Sequence, residues 1–187
     1  MIINEKTRQE VEARLNTMGD FMKMHYLSEC LKKNLDLDTR KFVLLKLAGI
    51  YEARNMFADS AKLFAIAADF NVTFQGKIND FLKSGELYVK GAKYYEADTI
   101  FKKAIAVANE VEKHRIKTAE KEAYKTQAKL YLKKEQRKHA ISAYEKMLDL
   151  QTLDSAERAE VEKELMGLYG RVGKVREHLA LKSKWGT

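Results

Sequence analysis

Apolar residues recur at intervals of three and four along almost the whole chain, the spacing that places them on one face of an α-helix. No segment alternates apolar and polar positions for long, as a half-buried β-strand would. The 187 residues include no proline, and the strong helix formers alanine, leucine, lysine and glutamate dominate. The pattern predicts an all-α protein with helices over 5–19, 22–35, 39–54, 57–70, 77–90, 93–113, 117–134, 137–151, 155–169 and 173–184.

Several of the predicted helix boundaries are marked by capping residues or by glycines. Asp154 followed by Glu157 predicts a capping box at the start of a helix, and Asp36 and Asp38 are expected to cap the third helix. Glycines at 91, 170 and 173 predict turns between paired helices. These turns divide the predicted helices into consecutive pairs.

Side-chain types repeat along the chain at fixed offsets. Each copy begins with a small residue, and an aromatic residue follows three positions later. A second small residue comes nine positions after that aromatic residue. A second aromatic residue follows four positions later, and an apolar residue three positions after that. The three clear copies are Ala48–Tyr51–Ser60–Phe64–Ala67, Gly85–Tyr88–Ala97–Phe101–Ala104 and Ala128–Tyr131–Ala140–Tyr144–Met147, and a weaker fourth contains Met166, Tyr169, Gly173 and His178. Small residues at matched positions let two helices approach closely, so each copy predicts one helical hairpin.

The repeated pattern resembles the tetratricopeptide repeat (TPR) family over about residues 40–183. The four tyrosines are separated by 37, 43 and 38 residues, longer than the family period of about 34. The resemblance implies a right-handed α-solenoid of about five antiparallel hairpins that binds another macromolecule. The predicted organisation is one domain over 1–187, with a divergent N-terminal hairpin at 1–38, three recognisable repeats at 39–151 and a degenerate capping repeat at 152–187.

The net charge of +8 is concentrated in one segment. Residues 113–138 contain ten basic and three acidic side chains, and lysines recur there at every fourth position from 113 to 133. The simplest interpretation of such a run is a helix face exposed to solvent, although solvent-exposed faces usually carry both positive and negative side chains. The TPR resemblance implies instead that part of this row lines a concave groove. The predicted partner-binding residues are Lys90, Lys125, Lys129, Lys133 and Arg171, with apolar contacts from Leu45 and Leu82.

A partly basic groove predicts an acidic protein segment as the partner, which makes the chain a scaffold or adaptor. The carboxylate clamp of one TPR subclass is not reproduced, because Leu45 and Gly49 occupy its positions. A nucleic-acid-associated protein using the helix within 113–138 is the first alternative, although Tyr124, Tyr131 and Tyr144 are assigned to the core and not to base stacking. A structural homo-oligomer is the second.

The sequence contains few residues in patterns typical of catalytic or cofactor-binding sites. The four histidines are scattered, and none has a second histidine or a cysteine at metal-ligand spacing. Residues 170–174 contain only a fragment of a phosphate-binding loop. The sequence therefore predicts no enzyme, no metal and no cofactor. The lone Cys30, the lack of an apolar run that could span a membrane and the lack of a signal-peptide pattern predict a cytoplasmic protein.

Overall fold

The computed structural model describes residues 3–186. Within that range the protein is all-helical, with ten α-helices and no strand. Helices that follow one another in the sequence pack together in two stretches, from the second helix to the sixth and from the eighth to the tenth, as expected for paired helices joined by short turns. The helices are α1 (Arg8–Leu15), α2 (Asp20–Cys30), α3 (Leu37–Ala53), α4 (Phe57–Asp69), α5 (Phe74–Lys90), α6 (Tyr94–Ala106), α7 (Glu110–Lys133), α8 (Arg137–Asp149), α9 (Ser155–Val172) and α10 (Val175–Lys184).

The boundary between α6 and α7 differs from the sequence prediction. The predicted break near residues 114–116 is wrong, since α6 ends at Ala106 and α7 already begins at Glu110. The Asn109 side chain accepts a hydrogen bond from the Glu112 backbone N–H, and the Glu112 carboxylate accepts one from the Asn109 N–H, both at 2.9 Å. This reciprocal cap starts α7 early, so the extra residues of this repeat lengthen α7 to 24 residues.

The described residues form two compact units, one up to Lys113 and the other from His114 onwards. In the first unit, a core under α1–α3 includes Val11, Tyr26, Leu27 and Val43, and α4, α5 and α6 pack in sequence. In the second unit, α9 packs against α8 and α10, and the core includes Tyr124, Ile141, Met147 and Leu165.

The turns after α3, α5, α7 and α9 share one backbone geometry. Each contains a residue with positive φ, four positions after the repeat tyrosine, at Asn55 (60°), Ala92 (55°), Glu135 (56°) and Gly173 (76°). The next backbone N–H in each turn donates to the carbonyl of that tyrosine, at 2.9, 2.8, 2.9 and 3.0 Å respectively. The fourth copy, weak in sequence, therefore has the same turn as the three clear copies.

This shared turn predicts how glycine substitutions affect stability. A left-handed conformation costs most residues roughly 1–2 kcal/mol, and glycine is its usual occupant at a helix C-terminus. We expect Ala92→Gly and Glu135→Gly each to raise the free energy of unfolding by about 1 kcal/mol. Urea unfolding followed by circular dichroism measures the change. Asn55→Gly is the matched control and should have little effect, because asparagine tolerates this conformation. A loss of stability in Ala92→Gly would contradict the explanation.

Small residues occur at contacts between paired helices, as the repeat pattern predicts. Ser60 donates from its hydroxyl to the Ala48 carbonyl at 2.8 Å, which ties α4 to α3. In the fourth copy His178 takes the place of Ser60, and its Nδ1 lies 2.9 Å from the Met166 carbonyl oxygen. A small residue is thus replaced by a ring that keeps the same contact between the two helices.

Two of the three glycines expected to mark turns do so. Gly91 follows the last residue of α5, and Gly173 ends α9 in the left-handed conformation. The assignment of Gly170 to a turn is wrong, because it lies inside α9. A Cβ at Gly170 would lie 3.4 Å from Nδ1 of the His178 ring, so this glycine makes room for a ring of α10.

Candidate binding surface on α7 and α9

The repeat residues of α7 are buried on one side of the helix. Tyr124 and Ala128 are fully buried and Tyr131 nearly so, as the repeat alignment predicts. Lys125 and Lys129 each follow a buried residue by one position, so they emerge at the edge of the buried face. The basic row therefore lies beside the core of the second unit.

Two lysines of the row are paired with carboxylates of α9. Lys121 Nζ donates to Glu157 Oε1 at 2.5 Å, and Lys125 Nζ lies 3.5 Å from Glu160 Oε2. The two lysine side chains are only 17% and 25% exposed. Lys125, a predicted partner-binding residue, is thus mainly engaged inside the protein.

The start of α9 fixes the position of the first of these carboxylates. Asp154 accepts a hydrogen bond from the Glu157 backbone N–H at 2.8 Å, and the Glu157 side chain accepts one from the Asp154 N–H at 3.2 Å. The predicted capping box is therefore confirmed. The hydrogen bond from Lys121 and the backbone N–H of Asp154 lower the pKa of Glu157, and the pKa of Lys121 is raised mainly by its bond to Glu157. Both groups stay charged at neutral pH.

The basic row continues beyond these pairs. Lys129 and Lys133 are exposed, and within residues 3–186 neither has an acidic partner. On α9 the positions after Glu160 along the same face include Glu164, Gly167 and Arg171. Gly167 is solvent-exposed with open space at its Cβ position, and Arg171 is exposed and also has no acidic partner in the described chain. The C-terminal ends of α7 and α9 thus present the exposed cations Lys129, Lys133 and Arg171, with the exposed Glu164 on the same face of α9.

The other predicted contacts belong to the first unit. Lys90 lies 3.6 Å from Glu52, which also pairs with Lys83 at 2.8 Å. Leu45 is half-buried and lines a shallow cavity with Arg8, Phe42 and Lys46 among its neighbours. Leu82 is only 7% exposed and belongs to the core.

Sequence reasoning missed the acidic partners of the basic row. Glu157 and Glu160 are separated from Lys121 and Lys125 by about 35 positions, and only the packing of α9 brings the charges together. The sequence marked Glu157 as a capping residue but contained no signal for its second role.

Other kinds of site find no support in the described residues. Tyr124, Tyr131 and Tyr144 are all buried, so none of them offers a stacking surface. No group of three or more histidine, cysteine, aspartate or glutamate side chains within residues 3–186 could hold a metal ion. None of the described helices has the length and apolar character needed to cross a bilayer.

Comparison with known proteins gives no match, either to a model of a protein family or to a curated protein sequence. The class defined by the fold is therefore an all-helical protein of sequentially packed helices with repeated turns. The charged face on α7 and α9 is the observation from which a function can be argued.

Proposed function

We propose that this protein is a TPR-like interaction scaffold that binds an acidic segment of a partner protein. The proposed architecture is a right-handed α-solenoid of about five hairpins. The first helix of each hairpin, such as α7 or α9, contributes to the binding face. The contacts to the partner come from Lys129, Lys133 and Arg171. Support comes from the repeated turns and from the resemblance of the repeat to the TPR pattern.

One observation carries the proposal. The basic row on α7 already binds carboxylates of a neighbouring helix at two of its positions, through Lys121 and Lys125. At the next two positions the same side-chain type is exposed and without an acidic partner in residues 3–186. An acidic segment laid along the C-terminal part of α7 would extend the series of ion pairs, gaining charge-assisted hydrogen bonds.

The same pairs favour protein over nucleic acid as the partner. Binding to a phosphate backbone depends on an unneutralised cluster of lysine and arginine. Here Glu157 and Glu160 neutralise Lys121 and Lys125, so the cluster of free cations is smaller than the charge count of this segment indicates. The buried tyrosines also leave no aromatic platform on this part of α7.

Charge reversal tests the proposal. We expect Lys129→Glu with Lys133→Glu to weaken binding of a short labelled peptide rich in glutamate and leucine by at least about tenfold, or about 1.4 kcal/mol. Each exposed pair contributes up to about 1 kcal/mol, and the reversed charges add repulsion. Fluorescence anisotropy at low salt measures the affinity.

The matched control is Lys102→Glu with Lys103→Glu, which makes the same change in net charge at exposed positions of α6. Equal weakening by both double variants would mean that only net charge matters, and the proposed surface would be wrong. Tighter binding of single-stranded RNA than of the peptide, lost in the α7 variant, would support the nucleic-acid alternative instead.

A further inference from the structure

Gly167 lies in the interior of α9, and no neighbouring side chain explains why a glycine is there. Glycine is, after proline, the least favourable residue inside a helix, because it loses the most backbone freedom on folding. Gly85 and Gly170 are explained by their neighbours, since a Cβ at either would lie 3.4 Å or less from the ring of Phe101 or His178. A Cβ at Gly167 would meet nothing within 4 Å, and the residue is exposed. The space beside Gly167 is therefore open to a ligand.

This space comes after the part of α9 that is joined to α7 by ion pairs. Two pairs advance in the same direction along both helices, namely Lys121–Glu157 and Lys125–Glu160. The next pair in this series would join Lys129 to Glu164, four positions further along each helix. Both side chains are exposed, and within residues 3–186 no ion pair joins them. An opening between α7 and α9 therefore begins after the second pair.

Cations lie along this opening on both helices. On α7, Lys129 and Lys133 come about 6 and 12 Å along the helix axis after the second ion pair. On α9, Gly167 comes about 10 Å after that pair, within about 20° of its glutamate around the helix, and Arg171 follows one turn later. Glu164 lies on the same face of α9, so a segment with carboxylates at intervals fits better than an unbroken acidic run.

We propose that the main chain of the acidic segment passes close to α9 at Gly167, and that this glycine determines how closely the segment can approach. A side chain at residue 167 would fill the space between the cations of the two helices and hold the segment away from them. Ion pairs weaken as the charges separate, so the segment would bind less tightly. This role of Gly167 rests on the function proposed above.

Gly167→Ala and Gly167→Leu should have opposite effects on stability and on binding. Both should raise the thermal midpoint of unfolding by about 2–4 °C, because they improve the helix and meet no neighbour. We expect Gly167→Ala to weaken binding of the labelled glutamate- and leucine-rich peptide by about threefold, and Gly167→Leu by about tenfold or more. Circular dichroism measures the midpoint, and fluorescence anisotropy at low salt measures the affinity.

Gly49→Leu is the matched control. Gly49 is also exposed inside a helix, with nothing within 4 Å of its Cβ position, and it has the same place in the repeat pattern as Gly167. Four positions before and after it lie Leu45 and Ala53, which are uncharged, whereas Arg171 follows Gly167 at that spacing. The control should therefore raise the thermal midpoint by a similar amount and leave the peptide affinity within about twofold.

Failure of this role for Gly167 can be distinguished from failure of the proposed function. If Lys129→Glu with Lys133→Glu weakens peptide binding but Gly167→Leu leaves it within about twofold, the surface is supported and the role of Gly167 is wrong. Equal weakening by Gly49→Leu, or a fall in the thermal midpoint of Gly167→Leu, would also overturn the role, because local space would not be the cause. If the unmodified chain does not bind the peptide, or the α7 double variant binds it equally well, both proposals are wrong.

Discussion

Gly85→Ala should lower the free energy of unfolding by about 2–3 kcal/mol, although alanine is the better helix former. A Cβ at residue 85 would lie 2.6 Å from Cζ of Phe101, and the Phe101 ring is fully buried. The ring cannot move aside without disturbing its own packing, so α5 and α6 must separate. A larger side chain such as leucine should cost more. Urea unfolding followed by circular dichroism measures the loss.

Gly49→Ala is the matched control. Gly49 lies in the interior of α3, and a Cβ there would meet nothing within 4 Å. The same substitution should therefore stabilise the protein by about 1 kcal/mol. Replacing the opposing ring with a smaller side chain, in Phe101→Leu, should restore part of the stability lost in Gly85→Ala, because the two positions are in contact. Strictly additive effects in the double variant would show that the close approach is not the cause.

Tyr124→Ala is the second substitution with a large expected effect, a loss of about 3–5 kcal/mol in the free energy of unfolding. Tyr124 is among the largest fully buried side chains and lies in the core of the second unit. Truncation removes the apolar area of the ring from the core and leaves a cavity that the surrounding helices fill only in part. Thermal and urea unfolding of the purified variant both report the change.

The control for Tyr124→Ala is Tyr95→Ala. Tyr95 lies in the first turn of α6 and is 81% exposed, so its truncation should change stability by no more than about 0.5 kcal/mol. The comparison also bears on function, because a tyrosine that supports the core cannot be part of a stacking platform for bases. A small effect of Tyr124→Ala would contradict the assignment of this residue to the core and reopen the nucleic-acid alternative.

The helices could be predicted from the sequence because their signals are local. Apolar spacing indicated ten helices, and ten are present in residues 3–186. The repeat offsets also marked Gly85 as a point of close approach between α5 and α6, although the side chain that a Cβ there would meet is Phe101 and not the small residue of α6. The main error, at the start of α7, arose because Asn109 and Glu112 form a cap that the charge-rich sequence around them obscured. A search for residue pairs with capping-box spacing would have found it.

The candidate surface could be predicted only in outline. The charge count identified the basic segment, and the repeat register indicated which lysines lie beside the core. Lys125 was expected to be available to a partner, yet it pairs with Glu160. Leu82 was expected to contribute an apolar contact, yet it is buried. Both differences depend on neighbouring helices, whose contribution cannot be read from the helix itself.

The sequence alone determined the helical class, the spacing of the repeated units and the concentration of positive charge, because each follows from residues close together in the chain. The tertiary structure decided which lysines are neutralised and which apolar residues stay exposed. Ion pairs and burial depend on side chains brought together from distant positions, and the packing of one helix against the next sets those distances.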